Sequence, residues 1–169
     1  MKVFGHRVRA AGLAAAVAAL ALLAVPALTG ADAASPATPN FNLEAQLRPV
    51  ADGQDGFGLV KFRQPKDSDV IAYLDVWVRD LAPNHTYFLQ RATDSSVDDD
   101  CTGTNWLTLG QGNAAKAIAT DERGTGRADL FRDLSAALGR QFDIQFRIID
   151  AVTSAVVLES ACYQFTVSR

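Results

Sequence analysis

The sequence predicts an all-β protein, an antiparallel Greek-key β-sandwich of roughly seven to nine strands with at most one short helix. Three observations lead there. Apolar and polar residues alternate with a period of two along most of the chain, the pattern of strands buried on one face. Clusters of Gly, Pro, Asn and Asp separate these runs at short intervals. The composition, 49% hydrophobic and 21% charged over 169 residues, is that of a chain with a packed core.

The strands follow in order. Leu43, Ala45 and Leu47 alternate with Glu44, Gln46 and Arg48. A turn at 51–56 leads to a strand over 57–64, stopped by Pro65 and the polar run 66–69. The longest run, 70–79, sets Val70, Ala72, Leu74, Val76 and Val78 against Ile71, Tyr73, Asp75, Trp77 and Arg79, which makes it a central strand. Pro83 and Asn84 turn the chain into a strand over 86–92, and a hydrophilic loop, 93–103, precedes extended structure at 105–109. Strands are expected again at 114–120 and 126–131, with a turn at 121–124 between them. Over 141–149 Phe142, Ile144, Phe146 and Ile148 take one face, and Gln141, Asp143, Gln145 and Arg147 the other. A last strand over 155–167 returns as a hairpin. The one helical competitor is 129–139, where Leu130, Leu134 and Leu138 recur at helical spacing and Gly139 offers an end.

Residues 1–33 read as a secretory signal, with Lys2, His6, Arg7 and Arg9, an apolar stretch at 11–28, and Ala31-Asp32-Ala33 as the cleavage site. The stretch approaches the length of a membrane span. Its Ala and Gly content, Pro26 and the small-x-small site favour cleavage. No Cys stands nearby to take a lipid, and Arg7-Val8-Arg9 is not a twin-arginine pair. Residues 34–40, rich in Pro, Ser, Thr and Ala, read as a flexible tether. The expectation is a soluble, extracellular, monomeric protein exported by the general secretory route, with one domain over 41–169. Cys101 and Cys162 then pair as a disulfide closing a loop of about 60 residues.

Without the signal, 13 basic side chains face 18 acidic ones and the net charge moves from -3 to -5. Scattered arginines in an acidic chain lack the footprint that nucleic acids or anionic membranes require, so neither partner is expected.

Beyond residue 33 the only His is His85, in a Pro-Asn-His-Thr turn. Two-His metal centres are therefore excluded, and the ordinary reading of His85 is a solvated turn residue. No phosphate-binding Gly loop or G-x-S-x-G nucleophile motif occurs. Carboxylates are the remaining catalytic resource. Asp94, Asp98, Asp99 and Asp100 crowd one loop, and Asp98 and Asp100 open a D-x-D-x-x-G pattern that would suit calcium. The twelfth position is Leu109, not Glu, and solvated turn aspartates are the alternative there and at Asp52 and Asp55. No other cofactor is expected. Asp75 and Asp143 lie mid-strand and could face one another as a hydrolytic pair, yet Arg79 and Arg147 follow each four residues on and would keep them ionised.

A binding surface suits the residues better. Tyr73, Asp75, Trp77 and Arg79 share a face, and planar rings beside carboxylate and guanidinium groups are what a sugar ring or an extended peptide needs. Gln141, Asp143, Gln145 and Arg147 add a polar row. The competing reading, which a Trp in the longest strand favours, packs Tyr73 and Trp77 under a loop or in the core and leaves the charges as cross-strand pairs on a solvated sheet. Trp106, beside Cys101, is expected on the disulfide.

The seven residues Leu81-Ala82-Pro83-Asn84-His85-Thr86-Tyr87 resemble the L-x-P-x-x-x-Y corner of fibronectin type III and related immunoglobulin-like domains, which implies a Tyr87 hydroxyl tied back to the preceding crossover. From there to Thr120-Asp121-Glu122-Arg123-Gly124-Thr125-Gly126 the layout is similar to the copper-zinc superoxide dismutase and chordin-repeat sandwiches, whose T-D-x-x-G-x-G turn enters a late strand. The dismutase's His ligands have no counterparts. The function expected is a secreted, non-catalytic module binding an extracellular glycan or protein through Tyr73, Asp75, Trp77 and Arg79. The alternatives are a protein inhibitor presenting loop 94–104 and a carboxylate-based glycan hydrolase.

Overall fold

The computed structural model describes residues 41–65 and 70–167. The signal segment, the tether and the polar run 66–69 lie outside the described residues. All regular structure among them is β: β1 (Phe41–Pro49), β2 (Phe57–Gln64), β3 (Ile71–Arg79), β4 (Thr86–Asp94), β5 (Leu107–Thr108), β6 (Gly110–Gln111), β7 (Ala114–Ala115), β8 (Ile118–Ala119), β9 (Gly126–Asp133), β10 (Gln141–Asp150), β11 (Val156–Ser160) and β12 (Tyr163–Thr166). They form one sheet in the order β5-β4-β10-β11-β1-β2-β3-β9-β6-β7, with β12 also on β10 and β8 also on β4. The pairings are antiparallel apart from one parallel contact, Gln111 with Phe131.

The sheet curls until it is nearly a closed barrel. The long strands run from β4 round to β9, and the chain between these two fills the gap. Thr108 pairs with Gln90, the Leu109 N–H donates to the Leu89 carbonyl at 2.9 Å, the Gly112 N–H donates to the Phe131 carbonyl at 3.0 Å, and Thr120 bridges to Gly126. Near closure pairs edges that would otherwise be open to other chains.

Two expectations are corrected. The all-β class stands, but the sheet is continuous instead of a stack of two, and it has twelve strands instead of seven to nine. Four of the twelve, β5 to β8, are two-residue pieces. Their brevity has a local cause: a Cβ on Gly110 would collide with the Ala114 carbonyl, and Gly112 turns the chain at φ 63°. The last expected strand also breaks, at Ala161 and Cys162, where the Ser160 hydroxyl takes the Phe146 N–H at 3.0 Å in place of a strand partner. The helical competitor is absent, since 129–133 belong to β9 and Gly139, at φ 80°, sits in the turn to β10. Helical spacing of three leucines lost to the alternation of Ala128 and Leu130, both buried.

The inward positions make one core. Leu47, Val60, Leu74, Leu89, Phe146 and Leu158 are buried, and Phe165 packs between Phe62 at 4.8 Å and Phe142 at 5.0 Å. Each such side chain contributes about 1.5–3 kcal/mol. The Tyr87 hydroxyl accepts the Ala82 N–H at 3.1 Å, the tie implied by the resemblance at this corner. Burial pushes its pKa up. The neighbouring crossover is held by buried Thr120, whose hydroxyl accepts the His85 N–H at 3.0 Å and donates to the Ala82 carbonyl at 2.7 Å.

Candidate functional site

The alternation of β3 puts Ala72, Leu74, Val76 and Val78 inside and Tyr73, Asp75, Trp77 and Arg79 outside. Trp77 is therefore a surface ring, 37% exposed, and not the core residue of the competing reading. Register supplies its neighbours from three other strands. Phe57 stands opposite Arg79, Leu59 opposite Trp77, and Lys61 opposite Asp75 on β2; Arg127 stands opposite Trp77 and Phe131 opposite Tyr73 on β9. Arg48 of β1 follows the Leu47–Gly58 pair and so reaches Phe57.

The contacts form an aromatic and guanidinium cluster. Phe57 meets Trp77 edge to face at 6.0 Å. Arg79 lies over both rings, at 5.2 Å from Phe57 and 5.8 Å from Trp77, and Arg48 approaches Phe57 from the other side at 4.9 Å. Such contacts hold long side chains in place at an exposed site. Below them Arg63 reaches across to Asp75 at 3.2 Å. The expected partner of Asp75 was Arg79. Four residues along a strand are about 13 Å apart, however, and Arg63, diagonally across on β2 beside the directly opposite Lys61, is within reach. On its open side Trp77 walls a shallow hollow of about 550 Å³, shared with Asp121, Thr125 and Arg127. Asp121 accepts the Arg123 and Thr125 N–H groups, each at 2.9 Å. The Thr125 bond first, and then that from Arg123, hold its carboxyl below the usual range.

The polar row of β10 is not part of this surface. Four strand steps separate β10 from β3, roughly 19 Å along the sheet, so Asp75 and Asp143 cannot face one another. Asp143 is fully buried, with one oxygen accepting the Asp98 N–H at 3.1 Å and the Asp99 N–H at 2.9 Å. It anchors a loop instead of pairing with Arg147. Arg147 donates to Gln90 at 2.8 Å and lies 3.8 Å over Trp106, the ring expected on the disulfide. Desolvation there lowers the Arg147 pKa.

The acidic loop turns its backbone inward and its carboxylates to solvent. Asp98 accepts the Asp100 N–H at 3.2 Å, while Asp94 is engaged by Ser96 and by the backbone and hydroxyl of Thr102. The Thr102 hydroxyl is the main cause of a lowered Asp94 pKa. Among the described residues no three His, Cys, Asp or Glu side chains are grouped to hold a metal ion. Cys101 and Cys162 are joined as a disulfide, with Cα atoms 5.4 Å apart. His85 is a correction too. Its Nε2 lies 2.6 Å from Asp150 and its ring packs on Tyr87 at 5.0 Å, so it pins the corner instead of standing in solvent.

Sequence reasoning missed Arg48, Phe57 and Arg127, which belong to the cluster only through register. Their outward parity was readable, but strand order was not. Neither a protein-family model, nor a curated protein, nor a solved structure matches this chain.

Proposed function

We propose that this is an exported, monomeric, non-catalytic binding module that takes a glycan on the outer face of β1, β2, β3 and β9, with Trp77 as the platform. The observation that carries the reading is the exposed Trp77 ring, held between Phe57 and Arg79 and bordering an open hollow with hydroxyl, carboxylate and guanidinium groups. A sugar offers an apolar CH face to a ring and a rim of hydroxyls to paired donors and acceptors, which is the chemistry this surface presents. Tyr73 and Arg79 extend the ring and donor sets along β3, and Asp75 with Arg63 forms a fixed polar step beside them. The hydrolase alternative finds less support: Asp75 is engaged by the Arg63 guanidinium, and Asp143, its expected partner, lies four strands away.

Export is part of the proposal. It rests on the signal-like first 33 residues together with the disulfide, which suits an oxidising compartment. Among the described residues no helix is long and apolar enough to cross a membrane.

Co-sedimentation of the oxidised protein with insoluble cell-wall and storage polysaccharides tests the reading. Saturable binding that Trp77→Ala reduces by about tenfold or more supports it. Binding that the variant retains would place the glycan away from Trp77, and no binding to any preparation would move the reading to a protein partner.

A further inference from the structure

At the far end of β9 from Trp77 the barrel has an open mouth, and two arginines stand on its inner wall. Register fixes their direction. Arg91 lies opposite Phe146, and Arg132 lies opposite Ala72, both partners being buried inward residues. Each guanidinium uses a neutral oxygen as its anchor: Arg91 donates to the Thr93 hydroxyl at 3.1 Å, and Arg132 donates to the Gly112 carbonyl at 3.1 Å. Burial lowers the Arg91 pKa, and the charge of Arg132, which lines the same cavity, lowers it further.

Among the described residues no carboxylate forms an ion pair with either guanidinium. The nearest candidates are otherwise disposed. Asp94 is held by Ser96 and Thr102, and Asp133 lies on the exposed outer side of β9. Two partly buried like charges without a counterion oppose folding, whereas an anion seated between them offsets both the repulsion and the lost hydration.

The space in front of them is shaped for such an anion. Arg91 and Arg132 line a cavity of about 230 Å³ with Thr93, Leu134, Phe142 and Arg140, and Asp94 and Asp133 also border it without pairing with either guanidinium. Behind it an apolar recess of about 40 Å³ reaches Phe62, Ile144 and Phe165. The combined space is below the roughly 300–1,000 Å³ of drug-sized sites, so the ligand is small. An inorganic anion would leave the apolar wall uncovered, and a neutral hydrocarbon would leave the guanidinium pair uncompensated.

We propose that the barrel mouth binds a small organic carboxylate, its oxygens taken by the guanidinium groups of Arg91 and Arg132 and its apolar body lying against Leu134 and Phe142. Planar guanidinium forks match a carboxylate in two parallel hydrogen bonds, which a lysine cannot do. The site is independent of the outer face, since the two share no residue.

Isothermal titration of the full oxidised protein tests this, with benzoate as the probe, benzyl alcohol as the same ring without the charge, and acetate as the charge without the ring. Saturable benzoate binding is expected, with both comparators weaker by about tenfold or more. Arg132→Gln should abolish it while melting at or above the parent temperature, because a repulsion has been removed. Arg132→Lys, which keeps the charge and loses the fork, should weaken it by roughly tenfold. No benzoate binding would overturn the proposal. So would equal binding of benzyl alcohol or of acetate, or unchanged benzoate binding in either variant.

Discussion

His85 Nε2 and Asp150 Oδ2 lie 2.6 Å apart, joining the turn before β4 to the last residue of β10. The Asp150 carboxylate also accepts the Val152 and Thr153 N–H groups, each at 2.8 Å. Its pKa is thereby lowered to about 2, with the Thr153 bond as the largest cause and His85 a contributor. One carboxylate organises both turns.

The sign of the pH effect follows. A group whose folded pKa is depressed stabilises the fold above its unfolded value and loses that contribution as pH falls through the folded one. For Asp150 the window runs from about pH 4 down to about pH 2. Thermal melts of the parent and Asp150→Asn across that range should show a gap at neutral pH that closes as the solution is acidified. A gap that stays constant with pH would assign the effect to packing.

Asp143 holds the acidic loop from beneath. Asp143→Ala should destabilise by about 1–3 kcal/mol, since it leaves the Asp98 and Asp99 N–H groups without their acceptor. Asp143→Asn keeps an acceptor oxygen and should recover much of the loss in urea denaturation. Amide exchange at Asp98 and Asp99 should speed up in the alanine variant and not in the asparagine one.

Replacing the cystine by two alanines should cost up to about 4 kcal/mol, the closure entropy of a loop whose ends are 61 residues apart in sequence. The denaturant midpoint should fall without a change of fold by far-ultraviolet circular dichroism.

Gly124 sits at φ 72°, and a Cβ there would collide with the Leu81 carbonyl, which belongs to the crossover tied by Tyr87. Gly124→Ala should therefore destabilise by more than about 1 kcal/mol. Measured by thermal denaturation, the loss should exceed that of Gly53→Ala, where φ is 77° and the space around it is open.

These residues mark what a period of two can and cannot carry. It assigned Leu74 and Val76 to the inside and Trp77 to the opposite face, because parity depends only on the strand itself. It did not reveal that β2 and β9 flank β3, or that β10 lies four strands away, because pairing joins residues distant in sequence. Asp75 was thus assigned Arg79 when its partner is Arg63, diagonally across on β2. The break at Cys162 goes with a contact to another segment, the Phe146 N–H taken by the Ser160 hydroxyl, and left no mark in local propensity. Those at Gly110 and Gly112 are local, and the glycines themselves were the signal. The inward arginines were legible in principle: Tyr87, Leu89, Arg91 and Thr93 share one parity, as do Ala128, Leu130 and Arg132. A charge at an apolar position was the available signal for the barrel mouth. Buried polar pins such as Asp143 and Thr120 gave none, since each acts through a loop folded over it.

The central claim is that Trp77 is the platform of the binding face. The chain has two tryptophans, so Trp106→Phe leaves Trp77 as the sole indole fluorophore. Acrylamide quenching of that variant, with and without soluble fragments of the polysaccharide that it sediments with, reports directly on the ring. The account predicts that saturating fragments shield Trp77 and lower the quenching constant, with the emission shifting to the blue. An unchanged constant while the protein still binds the polysaccharide would contradict it.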